Sequence, residues 1–206
     1  MQLSLGLLAA LAPLLVPGQP ARPAEVTAPS APTAVSSALL TVEEALELCF
    51  PDCTVRRGTV FLEEEEVERI EDLVGVKDIR AIAHPYEAFD EDGKLVGTAW
   101  FDSRKVRSKK QTLMVAADPK GRILRVEVLA FLEPRQYLPP ARWFGQLVGK
   151  ELGPALSLDG EVRNLAGATL SARASVRSAR LALALQQVLR SEEHTSELQS
   201  RQYLVC

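Results

Sequence analysis

The residues best suited to chemistry lie late in the chain, in Ala166-Gly167-Ala168-Thr169-Leu170-Ser171. Three small residues run into a helical pattern that carries hydroxyls in its first turn. Gly167 permits unusual torsions and close approach of a ligand to the backbone. Unpaired N–H groups at a helix start, on the positive end of the dipole, form an anion site. The plainer reading makes Thr169 or Ser171 an ordinary N-cap, and on this segment alone that reading prevails.

Elsewhere the chemistry is thin. No Ser-His-Asp set is evident, no catalytic residue is assigned, and His84, just before Pro85, reads as structural. Cys49 and Cys53 are separated by three residues, whereas a thioredoxin-type pair has two between its sulfurs; a small disulfide loop and two unpaired thiols both remain open. No metal site is expected, because further ligands are lacking. Glu63 to Glu66 point in different directions on a helix and read as its solvated first turn, favoured by the dipole. Arg104, Lys105, Arg107, Lys109 and Lys110 read as a solvated basic loop, with lipid headgroups or an acidic partner as the alternative contact, and Arg173, Arg177 and Arg180 as a solvated helix face ahead of a ligand contact. Trp100, Tyr137 and Trp143 are core aromatics first, with contact to a ligand ring as the alternative.

The elements that must position these residues follow from periodicity. Thr41 to Glu44 forms a capping box and starts a helix that Pro51-Asp52 ends. Thr54 to Phe61 alternates as a strand, and Leu62 to Val74 has helical spacing through Val67, Ile70, Leu73 and Val74. Ile79 to Phe89, Lys94 to Asp102, Gln111 to Asp118 and Ile123 to Phe131 read as an antiparallel meander, with turns at Asp90 to Gly93 and Asp118 to Gly121. Arg135 to Gly149 is a loop with a short helix. A last helix runs to Leu189, with Ala174, Leu181, Leu185 and Val188 facing inward. The expected class is α+β: a small antiparallel sheet flanked by helices, one domain after a leader.

The two ends read differently. Leu3 to Val16 is apolar and broken by Pro17-Gly18, so 1–24 is expected to be a signal peptide or anchor, without a preceding basic residue. Residues 25–40 read as a flexible linker, and 41–75 as a helix-and-strand extension. Arg190 to Ser200 resembles the translation of a sequencing-adapter oligonucleotide, so 190–206 is set aside as a non-native tail. A net charge of -3 argues against a nucleic-acid partner, which would demand a basic excess.

Residues 76–189 form the main domain. From Gly93 to Leu189 the order of segments resembles the FMN-binding domain family, which includes the flavin-carrying subunits of the Rnf and sodium-pumping NADH:quinone oxidoreductase complexes. The resemblance runs through Gly93 to Gly97, Asp118 to Ile123, and Val126 to Pro134, where Glu133 and Pro134 match the family's Glu-Thr-Pro-Gly and the Thr is lost. It continues through Phe144 to Lys150 and Leu165 to Ser171, the latter matching the Ser-Gly-Ala-Thr region. The resemblance implies FMN as cofactor, held by Leu165, Ala166, Gly167, Ala168, Thr169 and Ser171, with the ring against the sheet and the loop around Glu133. It also implies that Thr169 can carry the flavin as a phosphoester installed from FAD by a flavin transferase. Arg163 stands where the family prefers Asp, and Ala166 where it prefers Ser. Arg163 is either a direct phosphate contact, by bidentate pairing, or an exposed charge. The implied role is that of an exported electron carrier, periplasmic or on the outer face of the cytoplasmic membrane. It would serve a redox partner protein or a membrane electron-transfer complex. The alternative is a flavin-free exported binding or scaffold module with the same fold.

Overall fold

The computed structural model describes residues 39–77 and 79–193. The expected leader, nearly all of the linker and most of the expected tail lie outside them. Within them the class is α+β, with a five-stranded antiparallel sheet and a separate two-stranded one. No helix among the described residues is long and apolar enough to cross a membrane.

Helix α1 (Val42–Cys49) starts on the expected box: Glu44 N–H donates to Thr41 Oγ1, and Thr41 N–H to the Glu44 carboxylate. Then come β1 (Thr54–Arg57), β2 (Val60–Phe61), α2 (Glu64–Val74), β3 (Ile82–Ala83) and β4 (Tyr86–Phe89). The long strands β5 (Leu95–Lys105), β6 (Lys110–Ala117) and β7 (Ile123–Phe131) follow, then a 3-10 turn (Arg135–Tyr137), α3 (Ala141–Phe144) and α4 (Thr169–Glu193). The main sheet has the order β1-β4-β5-β6-β7.

Two of the expected strands are each broken in two. Thr54 to Phe61 splits at Gly58-Thr59, and Ile79 to Phe89 splits at His84-Pro85, with Ile79 to Ala81 outside any strand. The alternation is continuous across both breaks, but Pro85 has no N–H to give to a ladder. Its carbonyl accepts from Gly58 N–H (2.8 Å), and the paired chains then leave the main sheet together as β2 and β3. In consequence β4 covers β5 only from Leu95 to Ala99. The half of β5 from Trp100 to Lys105 has β6 on one side and, among the described residues, no strand on the other.

Each face of the sheet buries a different helix. Along β6, Leu113, Val115 and Ala117 join the core under α4, and Met114 and Ala116 join the core under α1, as period-two alternation requires. On the α1 side Phe50, 2 % exposed, packs on the backbone of Gly97. A Cβ at Gly97 would sit 2.7 Å from the Ala117 carbonyl oxygen and 2.8 Å from the Phe50 ring. Gly97→Ala is therefore expected to cost about 1–3 kcal/mol in urea unfolding; an unchanged midpoint would show that the contact relaxes freely. Cys49 and Cys53 are free thiols, and burial pushes Cys49 up to about 12. An ordinary thiol titrates lower, so burial keeps the Cys49 thiol in its protonated, less reactive form.

Helix α4 has the expected inward stripe: Ala174, Leu185 and Val188 are buried and Leu181 is half-buried. It continues past Leu189 to Glu193. Between it and the sheet runs a polar seam. Gln111 Nε2 donates to Ser175 Oγ (3.2 Å), Ser175 Oγ to the Ser171 carbonyl (2.9 Å), and Ser178 Oγ to Asp102 Oδ2 (2.6 Å). Arg180, read from sequence as part of a solvated face, instead points inward. It donates to the carbonyls of Gly153 and Leu156 and to that of Leu73 in the last turn of α2.

Candidate functional site

The start of α4 is built differently from those of α1 and α2. Ala168 takes the N-cap position, its carbonyl accepting the first helical bond from Ala172 N–H (2.9 Å). Alanine offers no oxygen to the next N–H groups, a loss of about 1 kcal/mol relative to Ser or Asp. The turn before it closes through Ala168 N–H to the Leu165 carbonyl (3.0 Å), with Gly167 at φ 81. That torsion is why a glycine stands there. Thr169 Oγ1 donates back to the same Leu165 carbonyl (3.3 Å), so its lone pairs remain free. The first N–H groups of the helix thus point outward with no side-chain acceptor. Ser171 adds to this: it is 1 % exposed, and its hydroxyl has no hydrogen-bond partner among the described residues.

A cavity of about 220 Å³ opens at this point, lined by Gly167 to Ser171, Val106, Arg107, Glu133 and Tyr137. Of the residues expected from sequence, Gly167, Ala168, Thr169, Ser171 and Glu133 therefore meet around one space. Leu165 supports the turn from behind through its carbonyl. Ala166 is exposed and does not line the cavity. Arg163 is also exposed and outside the lining. Its backbone is what is used, the N–H donating to Gln146 Oε1 (3.0 Å) and the carbonyl accepting from Trp143 Nε1 (2.8 Å). These two bonds tie the approach to α4 onto the α3 region.

Glu133 lines the cavity and is also tied into the β5–β6 turn. Its Oε1 accepts from the backbone N–H groups of Arg107 (3.2 Å), Ser108 (2.6 Å) and Lys109 (2.7 Å), and the Ser108 hydroxyl adds a further contact. These bonds hold the carboxyl below its usual range, with the Lys109 and Ser108 amides as the main causes. Glu133 thereby fixes the β5–β6 turn, and the turn presents Arg107 to the cavity. Because the folded pKa is depressed, this ordering is complete above the unfolded carboxyl value, about 4.3. It is lost as pH falls through the lower folded value. Amide exchange at Arg107, Ser108 and Lys109, corrected for intrinsic rates, should rise below about pH 4, and Glu133→Gln should show the fast behaviour at neutral pH. Equal protection in both proteins at neutral pH would remove this role.

The sequence names neither Arg107 nor Tyr137 as a site residue, Tyr137 reading as a core aromatic with a ring contact as the alternative. Arg107 read as one of five loop cations, and nothing local distinguishes it. Its position becomes visible only when the β5–β6 turn folds over the start of α4.

Beside the small cavity lies a larger groove of about 940 Å³, and Val106 and Leu170 line both. The groove runs along the uncovered half of β5, between α4 and the β2–β3 pair. Arg173 and Arg177, read as a solvated face, line it. Asp102 also lines it but is taken up by Arg104 Nε (2.8 Å) and the Ser178 hydroxyl.

No protein-family model matches this chain, and no curated protein is significantly similar to it.

Proposed function

We propose that the protein is an exported FMN-binding electron-transfer protein, with the flavin phosphate at the start of α4. The observation that carries this reading is the unpartnered, buried Ser171 hydroxyl at a helix start that has no side-chain cap. A phosphate there would accept from the free N–H groups and from Ser171 Oγ, with the Arg107 guanidinium closing over it. The 220 Å³ cavity is too small for a whole cofactor, since ligand sites run to about 300–1,000 Å³. It suits the phosphate and the adjoining sugar-alcohol chain. The ring system would then emerge between Val106 and Leu170, at the near end of the groove.

When bound, the flavin supplies reversible redox chemistry, and the protein contributes binding and tuning. Thr169 sits on the cavity wall with its lone pairs free. A phosphoester there would join Thr169 Oγ1 to the phosphorus of the FMN half of FAD. A flavin transferase would break the phosphoanhydride, release AMP and accept the hydroxyl proton. Partners on this reading are a redox protein or a membrane electron-transfer complex outside the cytoplasm.

The test is absorbance and intact mass of the purified chain, produced with and without a flavin transferase. A yellow protein is expected, with the added mass on the Thr169 peptide when the transferase is present. Thr169→Val should lose the covalent mass and still bind free FMN. Protein that stays colourless under both conditions and does not bind added FMN would favour the flavin-free scaffold reading.

A further inference from the structure

The groove along β5 carries features the flavin site does not use. Seven lysine or arginine side chains line it against the single carboxylate of Asp102, in a chain whose net charge is -3. Arg80, Lys105, Arg173 and Arg177 make no ion pair among the described residues, and Arg57 only stacks over the Tyr86 ring at 5.9 Å. Arg173 and Arg177 stand four residues apart on α4, a like-charge spacing that destabilises a helix unless an anion lies between them. On the groove wall Trp100, 5 % exposed, has an indole N–H with no acceptor.

The groove also contains open backbone. Val106 N–H donates to the Lys109 carbonyl (2.9 Å), so the even-numbered residues of this half of β5 turn their main-chain groups towards β6. By antiparallel alternation those of Phe101, Ser103 and Lys105 point the other way, to the edge that β4 leaves uncovered. All three line the groove. Alternating donors and acceptors along an edge, flanked by cations, match an extended main chain bearing carboxylates. A small anion would satisfy the cations but would leave the edge unpaired.

We propose that this groove receives an extended acidic segment of a partner protein, added as a strand to the open edge of β5. The proposal stands without the flavin reading, since the edge and the cations belong to the chain itself. If both hold, the docked segment lies next to Val106 and Leu170 and identifies the partner as the one that exchanges electrons with the ring.

The experiment titrates the full chain, without flavin, with capped six-residue peptides of alternating Glu and Val, and with Lys/Val peptides of equal length. The Glu/Val peptide is expected to bind about tenfold or more tightly than its Lys/Val counterpart, and to weaken as salt is added. N-methylation of its edge-facing amides should cost about tenfold, and so should the combined Arg173→Glu and Arg177→Glu change. Both side chains are exposed, so this variant should keep the parent's unfolding midpoint. Equal binding of the two peptides overturns the proposal. So does citrate binding as tightly as the Glu/Val peptide with N-methylation harmless, which would make the groove a small-anion site.

Discussion

Arg107→Glu is expected to weaken FMN binding by roughly 100-fold while leaving the urea unfolding midpoint unchanged. A charge-assisted bond contributes about 1.5–3 kcal/mol, and the new carboxylate adds repulsion. At about 1.4 kcal/mol per tenfold, a loss near 3 kcal/mol gives that factor. Stability is spared because the Arg107 side chain is exposed and holds no partner among the described residues; its backbone N–H is used, by Glu133. Arg107→Lys should recover only part of the affinity, since an ammonium cannot reproduce a bidentate contact. The measurement is a fluorescence titration of the parent and both variants. Unaltered affinity in Arg107→Glu would place the phosphate somewhere other than the start of α4.

Arg180→Met is expected to be the most destabilising change at a charged position, at about 2–4 kcal/mol. The guanidinium bonds three carbonyls from two separate segments: Leu73 at the end of α2 (2.6 Å), and Gly153 (2.9 Å) and Leu156 (3.4 Å). Losing it leaves those oxygens half-buried and removes a cation from the carbonyl end of α2. Methionine keeps much of the apolar stem, so the loss reports the bonds more than the packing. Arg180→Lys should rescue little, because one ammonium cannot reach all three oxygens. Equilibrium urea denaturation decides the matter, and a loss under about 0.5 kcal/mol would mean that water replaces the clamp without cost.

The sheet was legible because period-two alternation survives in β5, β6 and β7, and α4 because its apolar stripe is long. What misled was continuity: alternation runs unbroken through Gly58-Thr59 and through His84, so hydropathy alone joins segments that pair in different sheets. Pro85 carried the information, through the N–H it lacks. The start of α4 was legible as three small residues before a hydroxyl. Glu133 was legible only through the family resemblance, which put the ring against the loop around it; that its oxygens hold the β5–β6 turn emerges only from the fold. Arg107 was not legible, and Tyr137 only as a core aromatic with a ring contact as the alternative, because their place depends on a turn and a 3-10 segment far away along the chain. The groove is harder still to foresee, being a space left where β4 stops short and marked by no motif. Arg180 misled for a simpler reason: helical spacing groups it with Arg173 and Arg177, and only packing shows that its guanidinium turns inward.

The seam of Ser171, Ser175 and Ser178 has a consequence for the ligand as well as for the helix. Apolar packing of the right size and pattern holds a helix but loses uniqueness of position before it loses stability. Here Gln111 and Asp102 each meet one particular hydroxyl. Moving α4 by a residue, about 1.5 Å, would strand both. The seam therefore works as a ruler, setting how far the helix tip stands from the β5–β6 turn and hence how large a head group the space between them admits.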